Sequence, residues 1–133
     1  MYHMPYYRII TNNPSVAARY PIADFHDVTA EGILIKCRDA VHSGCVLISH
    51  PITGGMRPGS CPYRSVVVTG DAGLSDANPV DIASLKMIED AIVYANKSCG
   101  VNPHKPMDNG LLADYQAVDC DLTDCALRSI RHV

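Results

Sequence analysis

At 133 residues, 47% hydrophobic and 19% charged, the chain has the size and composition of one globular domain over 1–133 and not of a disordered chain. Its formal net charge of -3 and eleven scattered Lys and Arg argue against the basic stripe by which nucleic acid is ordinarily bound. No run approaches the roughly 20 apolar residues of a membrane span, and Met1–Arg8 lacks the basic and apolar regions of a signal peptide, so a cytoplasmic protein is expected.

Arg8–Thr11 is a short apolar run closed by Asn12, Asn13 and Pro14, and reads as a first strand ending in a turn. Ile22–Val28 is a weaker strand candidate, with Phe25 expected inside. Thr29 then caps a helix to about Ser43: Ile33, Leu34, Cys37, Ala40 and Val41 recur at helical spacing, and Gly44 suits a left-handed stop. Cys45–Ser49 reads as a strand buried on both faces.

His50–Pro62 has three Pro and three Gly in thirteen residues, a long shaped loop of a kind that tends to be functional. Ser65–Thr69 is a β-branched strand, and Gly70–Val80 a surface connection. Asn78 and Pro79 open the next helix, with Asp81 in its first turn and a stripe of Ile82, Leu85, Ile88, Ile92 and Ala95. After a linker over 101–113, Tyr115–Val118 reads as a last strand. Asp121 or Thr123 then caps a final helix that buries Ala126, Leu127 and Ile130.

Strands alternating with helices predict an α/β fold: one three-layer domain with a mostly parallel sheet of about five strands flanked by helices. The exception is the strand pair around the long loop, because no helix fits between Ser49 and Ser65. If that pair runs antiparallel, both ends of the loop meet at one sheet edge, with Tyr63 and Arg64 close to His50.

Ligands of open α/β sheets bind beyond the carboxyl ends of parallel strands. That edge gathers Asn12 and Asn13 with His50, Thr53, Gly54 and Gly55, and Arg57, Tyr63 and Arg64 complete the candidate site. Backbone N–H groups, a hydroxyl and guanidinium groups suit a carboxylate or phosphate, so a small anionic metabolite is the expected ligand. Each piece also has a plain structural use. Asn-Asn-Pro is a good turn in its own right, His50 can close the loop with a backbone bond, and arginines often lie solvated at the surface.

His50 is the candidate acid–base group, and Cys61 the nucleophile to suspect if His50 and Arg57 lower its pKa. There is no GxSxG, HExxH, GxGxxG or Walker pattern, so whether the protein is an enzyme stays open. The six cysteines hold no CxxC pair and the six histidines no HxxxH, so neither a metal nor any other cofactor is indicated. Cys37, Cys45 and Cys99 are read as free buried thiols. The second kind of function is a non-catalytic adaptor or assembly factor, docking through 101–113 with Met107, Leu111 and Leu112. A homodimer is also expected, since symmetric pairs are the commonest oligomers.

Three segments resemble the GrdX family. Ile9-Ile10-Thr11-Asn12-Asn13-Pro14 is similar to its opening strand and TNNP turn. His50-Pro51-Ile52-Thr53-Gly54, Arg57-Pro58 and Pro62-Tyr63-Arg64-Ser65 are similar to its HPLSG, KP and PYKS stretch. Ser84–Glu89 is similar to the helix that follows. This chain departs from the pattern in having Arg57 and Arg64 in place of Lys and Cys61 in place of Thr. The resemblance implies an accessory protein of glycine, sarcosine and betaine reductase operons, with a reductase-system protein as partner. It implies a pathway neighbourhood rather than a mechanism.

Overall fold

The computed structural model describes residues 7–52, 61–69, 79–98 and 109–131. Its sheet has three strands in the order β2-β1-β3, with β1 Tyr7–Thr11, β2 Ala23–Phe25 and β3 Ser65–Thr69. β2 lies parallel to β1 with Ile9 opposite Ala23, whereas β3 is antiparallel to β1 with Ile9 opposite Val67. The expected five-strand, mostly parallel, three-layer sheet is therefore not what forms, although the protein remains mixed α/β.

Two local causes account for the difference. Of the expected strand Cys45–Ser49, only an antiparallel bridge forms, Leu47 opposite Val68. The other edge of that segment is taken by a helix, because the Leu47 N–H donates to Ser84 Oγ at 3.0 Å. And the expected last strand, Tyr115–Val118, lies inside helix α4, Asn109–Arg131. Asp121 and Thr123 are consequently interior helical residues instead of caps, and the Thr123 hydroxyl donates to the Asp119 carbonyl one turn back at 2.9 Å.

The other helices follow from local chemistry. Asn13 caps α1, Pro14–Arg19, by accepting from the Ser15 N–H at 2.9 Å, with Pro14 at the first helical position. Thr29 caps α2, Ala30–His42, through the Gly32 N–H, and Gly44 follows at φ 104°, a conformation that favours glycine. Asp81 caps α3, Ile82–Ser98: its carboxylate accepts from the Ser84 N–H at 3.0 Å and the Ser84 hydroxyl at 2.6 Å. The expected cap, Asn78, lies outside the described residues.

Alternation along the strands separates two apolar clusters. Ile10, Val66 and Val68 pack with Ile33, Leu34 and Cys37 of α2 and Ile88 and Ala95 of α3. Ile9 and Val67 face the other way, onto Val16 of α1 and Cys120 of α4, with Leu127 and Ile130 alongside. Phe25 and Ile82, both expected inside, are 44% and 72% exposed: β2 is an edge strand, and Ile82 is the first residue of its helix. No helix among the described residues is long and apolar enough to cross a membrane.

Candidate functional site

Because β3 runs antiparallel to β1, its start lies beside the end of β1, and the segment ending at Ser49 reaches the same edge. Asn12 fastens these ends together. Its amide donates to the carbonyls of Val28 and Pro62 at 2.9 Å each, and its Oδ1 accepts from the Arg64 N–H at 2.8 Å. Asn13 is fully buried and turned toward α4, donating to the Gln116 carbonyl and to Asp119 Oδ2, both at 3.0 Å. Both asparagines lie at the predicted edge with their amide groups engaged by the protein itself. Tyr63 is beside them, its hydroxyl accepting from Gln116 Nε2 at 2.8 Å.

Arg64 is the unusual member. It is only 6% exposed, yet among the described residues its guanidinium makes one long bond, from Nη1 to the Pro51 carbonyl at 3.4 Å. Its Nε is buried without a hydrogen-bond partner, and no carboxylate among the described residues pairs with it. Removing a charge from water costs several kcal/mol unless something compensates. A cavity of about 20 Å³, large enough for a single water-sized group, lies between Arg64, Ser49, Ser65, Asp119 and Thr123.

On the wall of that cavity a directed chain of hydrogen bonds ends at Asp119. Ser65 donates to Asp119 Oδ2 at 2.6 Å, so the Thr11 hydroxyl, 2.7 Å from Ser65 Oγ, is the donor between the two. Thr11 in turn accepts from the Asn13 N–H at 2.9 Å. Asp119 is 6% exposed. Sequence reasoning missed Asp119, Ser65, Thr11 and Gln116. The available signal was a helical face on which Asp119, Cys120, Thr123 and Asp124 are buried together, and polar residues at those positions hide it from a hydrophobic pattern.

His50 takes the other side of the sheet. Its Nδ1 accepts from the Ile52 N–H at 3.0 Å, which closes the turn, and the exposed ring lines a groove with Met87, Asp90 and Tyr94 of α3. Cys61 lies within electrostatic reach of Asp119 and Arg64, and burial pushes its thiol up, contrary to the lowering a nucleophile requires. Its Sγ donates to the Tyr63 carbonyl at 3.3 Å. Thr53, Gly54, Gly55 and Arg57 lie outside the described residues, as does Cys99.

Cys37 and Cys45 are free and buried. Among the described residues no three His, Cys, Asp or Glu are grouped to hold a metal ion. No curated protein and no solved structure matches the chain. The family model described as GrdX-like protein matches residues 8–128.

Proposed function

The chain belongs to the GrdX-like protein family, and from that premise we propose that it is a cytoplasmic, single-domain protein that binds a small anionic metabolite where β1 ends and β3 begins. The observation that carries this reading is the Arg64 guanidinium, buried without an acid partner among the described residues. A carboxylate or phosphate oxygen would compensate it with short, charge-assisted bonds. Asn12 and Asn13 frame the site, and Tyr63 flanks it. Thr53, Gly54, Gly55 and Arg57 are proposed, from sequence, to complete it, with His50 at its border. By its family the protein is proposed to act alongside the glycine, sarcosine and betaine reductases.

The test is thermal unfolding against phosphate, acetyl phosphate, glycine, sarcosine, betaine and common nucleotides, for the native chain and Arg64→Met. A ligand at about a hundred times its Kd adds roughly 2.7 kcal/mol to the native chain. The variant should lose that response yet unfold no earlier without ligand, because an uncompensated buried charge has been replaced by an apolar group. Equal responses in the two proteins would sink the reading.

A second reading, a non-catalytic adaptor, draws on Val93 and Tyr94, which are 51% and 50% exposed on α3. Aromatic and apolar side chains of this kind anchor protein contacts. Under that reading Arg64→Met is tolerated, whereas Val93→Asp and Tyr94→Ala abolish capture of a reductase-system protein or of a second copy of the chain.

A further inference from the structure

Among the described residues the sheet has one open edge, the outer side of β2. The outer side of β3 is covered: the Ile48 N–H donates to the Val67 carbonyl at 2.8 Å, the Thr69 N–H to the Val46 carbonyl at 3.0 Å, and Leu47 bridges Val68. Along β2 the backbone groups of successive residues point to opposite sides of the strand. The His26 N–H donates to the Thr11 carbonyl at 2.8 Å, and the Ile22 carbonyl accepts from the Ile9 N–H at 3.1 Å. Ile22, Asp24 and His26 therefore turn their backbone toward β1, and Ala23 and Phe25 turn theirs away. The Ala23 N–H is satisfied by the Tyr20 carbonyl at 3.1 Å, which leaves Phe25 with both its N–H and its C=O aimed outward. Its side chain, the one phenylalanine of the chain, is 44% exposed at the same place.

We propose that β2 pairs antiparallel with β2 of a second copy of this chain, about a twofold axis at Phe25. Unpaired strand edges are templates for such pairing, and here the sequence of the strand selects its own copy. In this register the two Phe25 residues exchange both backbone hydrogen bonds, and their rings lie on the side of the sheet where Ala23 packs toward α1 and α4. Asp24 then stands opposite His26 of the partner subunit, and His26 opposite Asp24 of the partner subunit. Within one chain His26 Nε2 already lies 3.1 Å from Asp24 Oδ2, so the pairing joins two acid–base couples with no like charges directly opposed. An axis at Asp24 would oppose two carboxylates and require the N–H that Ala23 gives to Tyr20. A twofold contact closes on itself, and because the outer side of β3 is covered, assembly stops at a dimer with one continuous sheet. The pairing uses no residue of the proposed anion site.

Sedimentation velocity on the whole chain, from about 1 to about 500 μM to span the weak affinities of small interfaces, should show reversible dimers. Phe25→Asp sets two carboxylates face to face on the axis and should weaken the dimer at least about tenfold. Its circular dichroism should stay that of the native chain, because the side chain it replaces is 44% exposed. Tyr94→Ala, on α3, should leave dimerisation unchanged. Phe25→Cys under mild oxidation should give a covalent dimer in which both joined peptides carry position 25, since Cα atoms of such a pair lie about 5.5 Å apart, within disulfide reach. Ala23→Cys, which the register sets opposite Asp27 of the partner subunit, should not join to itself. A chain that stays monomeric over the whole range overturns the proposal, and so does a dimer that folded Phe25→Asp leaves intact. Equal joining in Ala23→Cys and Phe25→Cys overturns the register. If Phe25→Asp does not fold, the two cysteine variants decide the matter.

Discussion

Asn12→Ala should cost far more than the loss of one surface amide. The Asn12 side chain makes three hydrogen bonds of 2.8–2.9 Å and is 8% exposed. At about 1 kcal/mol net for each bond, the direct loss is roughly 3 kcal/mol, and the Arg64 N–H left buried without its acceptor adds on the order of 1 kcal/mol more. The total is a large part of the 5–15 kcal/mol by which domains are ordinarily stable. Urea unfolding of the native and variant chains reads it directly as a lower midpoint at unchanged slope. Asn12→Asp is the informative companion. Its carboxylate can still accept from the Arg64 N–H but sets a buried negative charge against the carbonyls of Val28 and Pro62, so it should destabilise at least as much as the alanine variant. A loss below about 1 kcal/mol for Asn12→Ala would refute the claim that this side chain fastens the strand ends together.

Two further outcomes follow from the titrating groups. Burial pushes the Cys61 thiol up and the Cys37 thiol to about 12, while Cys125 is exposed. Iodoacetamide at pH 8 with mass mapping should therefore label Cys125 well before Cys37 or Cys61, and early labelling of Cys61 would contradict the geometry. The Asp81 carboxyl is held below its usual value by the hydroxyl and backbone N–H of Ser84. A depressed folded pKa contributes stability that is present above the unfolded value of 3.8 and lost as pH falls through the folded one. Asp81→Ala should thus narrow the gap between urea midpoints measured at pH 5 and pH 2.5, and an unchanged gap would count against the cap.

Where local chemistry decides structure, the sequence was legible. Thr29 and Gly44 delimit α2, and Asn13 with Pro14 produces a turn that goes on to become α1. Tyr63 and Arg64 lie beside Asn12 because the chain returns antiparallel without a crossover helix, whereas the gathering of Asn12 and Asn13 at a ligand edge was expected from the carboxyl ends of a mostly parallel sheet, which does not form. The failures share a cause. Tyr115–Val118 looks extended when only apolar residues are counted, but the buried face of α4 includes Asp119, Thr123 and Asp124, which a hydrophobic pattern assigns to solvent. The bond by which His50 closes its own turn, Nδ1 accepting from the Ile52 N–H, is one of the two readings that the sequence leaves open.

The contact between Asn13 and Asp119 joins residues 106 positions apart, and that between Ser15 and Gln116 residues 101 apart. Closing so long an intervening chain is entropically slow, and nothing on β1 can complete the wall before α4 arrives. During synthesis the strands of this edge are made first and must wait for almost the whole chain to emerge. A nascent or truncated molecule could already possess the α2 core and still lack the α4 wall of the proposed site, so completion of that wall would mark the end of folding and not its beginning.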